Sequence, residues 1–210
     1  MDDPSRTTDG ITDVADLEAI YGAPVAASII KETDRLHPLY AAFVRASTFV
    51  ILATSGPGGL DASPRGDAAG FATVEDDKTL LLPDRRGNNR TDSLRNILAD
   101  PRVGLLFLIP GIGETLRVNG RAEISVVPDL LDRFAVAGKA PRTVLVVHVD
   151  AVYFQCSRAV ARAGLWDPAK HVARSSLPSN GEILEALSGG GFDGSTYDQA
   201  LDGRVKTTLY

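Results

Sequence analysis

The sequence predicts a mainly β, α+β fold: an antiparallel barrel with a few helices packed outside it. Three observations carry this reading. At least six apolar, β-branched runs fall between residues 48 and 155, turn signals separate most of them by only a few residues, and helical periodicity interrupts them in few places. A parallel α/β sheet would need a long crossover, usually helical, between successive strands. Tight turns instead join antiparallel neighbours, and curling such a sheet protects its edges.

Residues 1–10 are polar and aperiodic and are expected to be loosely attached. From Asp13 the pattern is helical, with Val14, Leu17, Ile20 and Tyr21 on one face and Gly22 as the stop. A second helix is expected from Pro24 to about Ile30, and a third from His37 or Pro38 through Leu39, Phe43 and Val44. Thr48–Thr54 reads as a strand, and Gly-Pro-Gly-Gly at 56–59 as a hairpin turn. Those glycines are followed by strand-like sequence, which rules out a dinucleotide fingerprint, since that needs a helix next.

Ala68–Val74 and Thr79–Pro83 form the next expected hairpin, around Glu75-Asp-Asp-Lys78. A helix with apolar positions Leu94, Ile97 and Leu98 follows, and Asp100-Pro101 breaks it. Val103–Ile109 reads as a buried strand, Pro110–Gly113 turns the chain, and Thr115–Val126 returns. Pro128 suits the first turn of a helix to about Val136, which Gly138 ends. Arg142–Gln155 is the longest strand candidate. Beyond it come a helix over Ser157–Leu165, a stop at Trp166-Asp-Pro168, a linker over Ser175–Ser179, a short helix over Gly181–Leu187, a joint at Gly189–Gly191 and an amphipathic stretch from Tyr197 to Leu209. The expected organisation is a polar segment and helix over 1–24, a barrel domain over 25–170, and a helical tail over 171–210 packed on the barrel or on a partner subunit.

Composition narrows the function. Lys and Arg total 22 against 27 Asp and Glu, a net charge of −5, which argues against a nucleic-acid binder. A single cysteine, Cys156, excludes an internal disulfide and multi-cysteine metal sites, and fits a reducing compartment. No apolar run reaches the length of a membrane span and the first residues are too acidic for a signal peptide, so a cytoplasmic protein is expected.

The arginines are few but clustered. Leu80-Leu-Leu-Pro-Asp-Arg-Arg-Gly-Asn-Asn-Arg90 runs from a strand into a loop carrying Arg85, Arg86, Asn89 and Arg90, and that loop opens a helix. Guanidinium forks, first-turn N–H groups and the helix dipole together suit a phosphate. Asp92, read as the cap of that helix, competes for the same N–H groups. A solvated basic loop would carry the same residues; what favours a site is repetition. Ala62-Ser-Pro-Arg-Gly-Asp67 puts Arg65 between Pro64 and Gly66, in an expected turn, and Leu116-Arg-Val-Asn-Gly-Arg121 puts Arg117 and Asn119 on one face of a strand. Three strand-associated polar clusters are positioned to converge. His148 reads as an interface or satisfied core residue, His37 as a helix start, His171 as a surface residue and Cys156 as buried and inert. No Ser-His-Asp, paired-carboxylate or metal-ligand pattern stands out.

In this order and spacing, Ser63-Pro-Arg-Gly-Asp67, the Leu80–Arg90 loop and Leu116-Arg-Val-Asn-Gly-Arg-Ala122 resemble the pyridoxamine 5′-phosphate oxidase-like superfamily, over about residues 25–170. The Cys156–Pro168 segment and the tail from Asn180 to Tyr210 resemble most closely a subgroup of uncharacterised members. The resemblance implies a split β-barrel of the FMN-binding type and a homodimer with the cofactor at the interface. It implies that Arg65, Arg90 and Asn89 hold the FMN phosphate with Ser63 as a further donor, that Asp84, Arg85 and Arg86 lie along the ribityl chain and ring, and that Arg117 lies near the second face or the partner. Trp166 is either packing alone or a cover for the ring or substrate pocket. The implied function is an FMN-dependent oxidoreductase of unknown substrate, with a small-molecule donor such as NAD(P)H. A flavin-binding redox sensor without turnover, or a barrel using deazaflavin or haem, is the alternative. The substrate-phosphate residues and the C-terminal arginine–histidine segment of authentic pyridoxamine phosphate oxidases are missing, since the tail reads Arg204-Val-Lys-Thr-Thr-Leu-Tyr210.

Overall fold

The computed structural model describes residues 10–210, so the expectation for residues 1–10 falls, except for Gly10, outside it. The chain divides into two compact units, Met1–Glu32 and Thr33–Tyr210. In the first, α1 (Val14–Tyr21) is capped by the Asp13 carboxylate, which accepts from the Asp16 N–H at 2.8 Å, and is closed by Gly22 at φ 70°. The second helix, α2 (Ala26–Ile30), follows in the same unit.

The second unit opens with α3 (Pro38–Ala46), started as expected by His37, whose Nδ1 accepts from the Leu39 N–H at 3.2 Å. Seven strands then form one antiparallel sheet: β1 (Phe49–Gly56), β2 (Gly59–Gly66), β3 (Thr73–Val74), β4 (Thr79–Asp84), β5 (Arg102–Leu108), β6 (Thr115–Ser125) and β7 (Thr143–Gln155). Their order is β2-β1-β5-β6-β7-β4-β3, with helix α4 (Asp92–Ala99) between β4 and β5 and α5 (Pro128–Asp132) between β6 and β7. This is an α+β split barrel.

The period of two places the core. Val50 and Leu52 of β1, Val103, Leu105 and Phe107 of β5, and Leu116 and Val118 of β6 point to one side and are almost fully buried with α3's Val44 and α4's Ile97. In β4 the alternation lapses: Leu80, Leu81 and Leu82 are all buried. Leu81 faces the other side, where Phe134, Val144 and the partly buried Leu130 and Leu131 of α5 form a second small cluster. That cluster fixes the β6–β7 connection beside the end of β4. At Gly120 the β6–β7 register slips, and a Cβ there would collide with the His148 carbonyl, so only glycine fits.

Several local expectations are corrected. β3 is two residues long, because Phe71 and Ala72 are spent on the core rather than on pairing. Arg65 lies inside β2, paired with Val50, and not in a turn. Helix α5 stops at Asp132, and Ala137 and Gly138, both at positive φ, form a two-residue turn between Val136 and Lys139. Leu98 faces outward at 79% exposure. Cys156 is exposed and not buried, and His148, 3.6 Å from Glu123, is exposed too, which removes only the core alternative of its reading. After α6 (Arg158–Ala163), the tail forms α7 (Asn180–Leu187), α8 (Gly194–Gln199) and α9 (Leu201–Thr208), so the single amphipathic stretch is two helices meeting at Ala200.

Candidate functional site

A cleft of about 630 Å³ opens where β2, the end of β4, the start of α4 and the start of β7 meet. That volume lies within the range of small-molecule pockets. Five arginines line it (65, 85, 86, 90 and 142) against three aspartates (67, 84 and 92), so it is locally cationic in an acidic chain. Pro64, Pro83, Phe71, Leu94 and Leu209 supply apolar wall.

Ser63, Arg65, Asp84, Arg85, Arg86, Asn89 and Arg90 all line this cleft. Arg117 and Trp166 do not. Arg117 donates to the Tyr153 hydroxyl at 2.9 Å from the middle of β6, and the Trp166 indole donates to the Ile112 carbonyl at 2.8 Å.

The inner wall is wired. On β2, Asp61, Ser63 and Arg65 share a face, with Asp67 one step past the strand. Ser93 donates to Asp61 at 2.5 Å and Ser63 does so at 3.0 Å, while Arg65 donates to Ser93 at 3.3 Å and to the Pro64 carbonyl at 3.0 Å. The Arg65 Nε sits 3.4 Å from Asp84. Arg85 donates to Asp67 at 2.7 Å and to the Phe134 carbonyl at 2.6 Å, and the Tyr210 hydroxyl donates to the other Asp67 oxygen at 2.7 Å. The Arg85 guanidinium lies 5.5 Å from the centre of the Tyr210 ring.

These surroundings push the two wall carboxylates in opposite directions. Desolvation raises the Asp67 carboxyl, but the Tyr210 hydroxyl, the Ala68 N–H and Arg85 outweigh it and hold the group below its ordinary range. Burial raises the Asp84 carboxyl, and the opposing attraction of Arg65 and Arg142 leaves it above that range. The hydrogen bond to Asp67 raises the Tyr210 phenol in turn.

The outer rim is looser. Arg90, with its side chain 76% exposed, donates to Asp92 at 2.9 Å. Arg142 donates to the Asn89 amide oxygen at 3.0 Å. Asn89 (φ 61°) and Thr91 (φ 58°) both adopt the left-handed conformation, unusual outside glycine and characteristic of turns that gather N–H groups into anion-binding concavities. The cap residue of α4 is Thr91, not Asp92, and no side chain caps the helix. The competition expected from Asp92 is therefore absent: its carboxylate turns to Arg90 and leaves the first N–H groups of α4 without a side-chain acceptor.

The Thr143 hydroxyl, in the cleft lining, is buried and has no hydrogen-bond partner among the described residues. Sequence reasoning missed Thr143, Arg142, Ser93 and Tyr210. Reading β2 as a strand would have exposed the Asp61-Ser63-Arg65 face by its period of two, whereas Arg142 and Thr143 become visible only through the pairing of Asp84 with Thr143.

The family comparison places the chain that carries this cleft. A profile described as pyridoxamine 5′-phosphate oxidase matches residues 36–156, more than half of the chain, a span that takes in all seven strands of the sheet. The chain belongs to the pyridoxamine 5′-phosphate oxidase family. Among solved structures, it is similar to HupZ from Group A Streptococcus, at 18% identity over 56% of this chain and 91% of that one, with a TM-score of 0.46. It is also similar to a Clostridium acetobutylicum protein of the pyridoxinephosphate oxidase family, related to general stress protein 26 of B. subtilis, at 15% identity over 55% and 84% and a TM-score of 0.43. General stress protein 26 from Bacillus anthracis aligns at 17% identity over 54% and 88%, with a TM-score of 0.37. No curated protein matches the sequence. Among the described residues no helix is long and apolar enough to cross a membrane, and no group of three or more acidic, histidine or cysteine side chains is arranged to hold a metal ion.

Proposed function

We propose that the cleft holds FMN, its phosphate against the rim at the start of α4, and that the protein is an FMN-dependent oxidoreductase working as a cytoplasmic homodimer. The single observation that carries this is the uncapped start of α4, preceded by two left-handed residues and faced by arginines from two strands' ends. A phosphate monoester is close to a dianion and needs several charge-assisted donors. Arg90, the first backbone N–H groups of α4 and Arg65 supply them, with Arg65 shared between Asp84 and the ligand; Ser63 would join them by giving up its bond to Asp61. The apolar wall of Pro64, Phe71, Pro83, Leu94 and Leu209 fits a ligand that carries a flat ring.

FMN, when bound, supplies hydride or electron transfer at its ring. The chain's own residues then have defined tasks. Arg86 would stabilise negative charge on the ring edge, which favours reduction, Arg85 would hold the wall in place through Asp67, and Phe71, Pro83 and Tyr210 would keep water from the ring. Arg117 and Trp166, away from the cleft of their own chain, would serve the partner's cleft across the dimer. A reduced nicotinamide such as NAD(P)H is the proposed donor class.

The test is the absorbance spectrum of the protein after incubation with FMN, followed by anaerobic addition of NADH or NADPH. The reading expects a stoichiometric yellow complex that the donor bleaches and an acceptor restores. A yellow complex that no donor reduces would assign a binding or sensing role instead; a deazaflavin or haem spectrum would replace the cofactor. Arg65→Ala with Arg90→Ala is expected to weaken FMN by about 3 kcal/mol or more, from the loss of at least two charge-assisted bonds.

A further inference from the structure

The tail beyond the barrel is built in two parts. Helices α7 and α8 brace each other: the Asp198 carboxylate accepts from the Gly181 N–H at 2.9 Å, and Phe192 packs edge-on to Tyr197 with ring centres 5.4 Å apart. The arm that follows, residues 201–210, is held differently. Helix α9 buries none of its residues. Its base is fixed by Arg204, whose guanidinium lies 3.7 Å from the centre of the Tyr197 ring, while Gly203 weakens the helix although an added Cβ there would meet nothing. The far end of the arm reaches the cleft, where Leu209 and Tyr210 belong to the lining.

Two bonds hold that end in place. The Tyr210 hydroxyl donates to Asp67 at 2.7 Å, and the Tyr210 main-chain oxygen accepts from the Lys139 Nζ at 3.2 Å. Tyr210, like Arg85, Arg86 and Arg142, lines both the cleft and an adjoining cavity of about 270 Å³, so it stands as a partition between the two spaces. Both bonds can open without stranding a buried charge. Asp67 keeps Arg85 at 2.7 Å and the Ala68 N–H at 2.7 Å, and Lys139 is exposed, so water replaces its lost partner. An arm fixed at its base, unburied along its helix and held at its tip by exchangeable bonds belongs to the least stable part of a fold, from which moving covers are drawn.

We propose that residues 201–210 are a strap that gates the cleft, with Tyr210 as its latch. Docked on Asp67 and Lys139, Tyr210 separates the two spaces; released, it joins them and opens the cleft along that side to a ligand entering or leaving. The name of that ligand rests on the flavin reading of the cleft, whereas the strap is defined by contacts of the chain with itself. Lys139 does not line the cleft, so it acts on a ligand's entry and exit through the strap and not by touching the ligand there.

FMN association and dissociation, followed by stopped-flow flavin fluorescence, are compared in the wild type, Tyr210→Phe and Lys139→Ala. Tyr210→Phe keeps the ring and removes the bond to Asp67; both rates are expected to rise together, by about tenfold for the loss of a bond to a charged acceptor, while Kd moves little. Lys139→Ala is expected to raise both by roughly threefold. Plain loss of a positive charge near the cleft would instead slow the entry of an anion. Rates unchanged in both variants, or faster exit with unchanged or slower entry, would overturn the gate and leave Tyr210 a fixed part of the wall. Hydrogen exchange of residues 201–210 in cofactor-free protein decides the strap apart from the flavin: faster exchange in both variants than in the wild type is expected, and equal exchange would overturn it. Protein that takes up no FMN yet shows this faster exchange would remove the flavin reading and keep the strap.

Discussion

Arg85 and Arg86 are neighbours in sequence and belong to different regions of the molecule. Arg85 is part of the inner wall: its side chain is 16% exposed, it pairs with an Asp67 side chain that is 4% exposed, and a carbonyl and an aromatic ring complete its surroundings. Arg86 belongs to the outer rim with Arg90 and Arg142, exposed and without buried carboxylates. Burying an ion pair is costly unless each partner is satisfied, so wall arginines are committed to holding the cleft's shape. Rim arginines keep their donors near water and can hand them to an anion at little cost. The difference teaches that arginine count alone does not measure binding capacity; what each guanidinium already holds does.

The largest expected effect comes from breaking the wall. Arg85→Ala leaves Asp67 buried and unpaired and is expected to cost about 3 kcal/mol or more of stability, read by urea unfolding. Arg142→Ala, on the rim, should stay within about 0.5 kcal/mol of the wild type in the same assay. Equal losses from both variants would erase the distinction between the two regions.

A smaller effect separates the two wall carboxylates by pH. The Asp67 carboxyl is depressed in the folded state, so its contribution is fully present above the unfolded value of about 3.9 and is lost as pH falls through the lower folded value. Asp67→Asn should therefore destabilise most at neutral pH, and the deficit should shrink in acid. The Asp84 carboxyl is raised, so its charge costs stability above its folded pKa, and that cost disappears as pH falls through that value into the ordinary carboxylate range. Asp84→Asn should raise the neutral-pH melting temperature, with the gain fading in acid. A loss at neutral pH would show that Asp84's bond to Arg65 outweighs its burial.

The fold is legible in the sequence because burial follows period two along β1, β5 and β6, and because the β1–β2 turn at 56–59 carries its own glycine and proline signature. Strand β3 is not, because its apolar neighbours, Phe71 and Ala72, enter the core from irregular backbone. The exposure of Cys156 is equally hidden, since an apolar strand end says nothing about which side faces solvent. At the site, the cationic loop is visible as composition, but the links Arg65 to Asp84 and Arg85 to Asp67 join separate segments and depend on how β2 and β4 come together. The uncapped α4 stays hidden because Asp92 looks like a cap until Thr91 is seen in the left-handed conformation.

The central claim is that the rim at α4 receives a phosphate. Binding of FMN and of riboflavin, which differ in that group alone, tests it by fluorescence quenching on one protein preparation. The account predicts FMN to bind on the order of a hundredfold more tightly, equivalent to about 3 kcal/mol from charge-assisted donors. Riboflavin binding as tightly as FMN would contradict it.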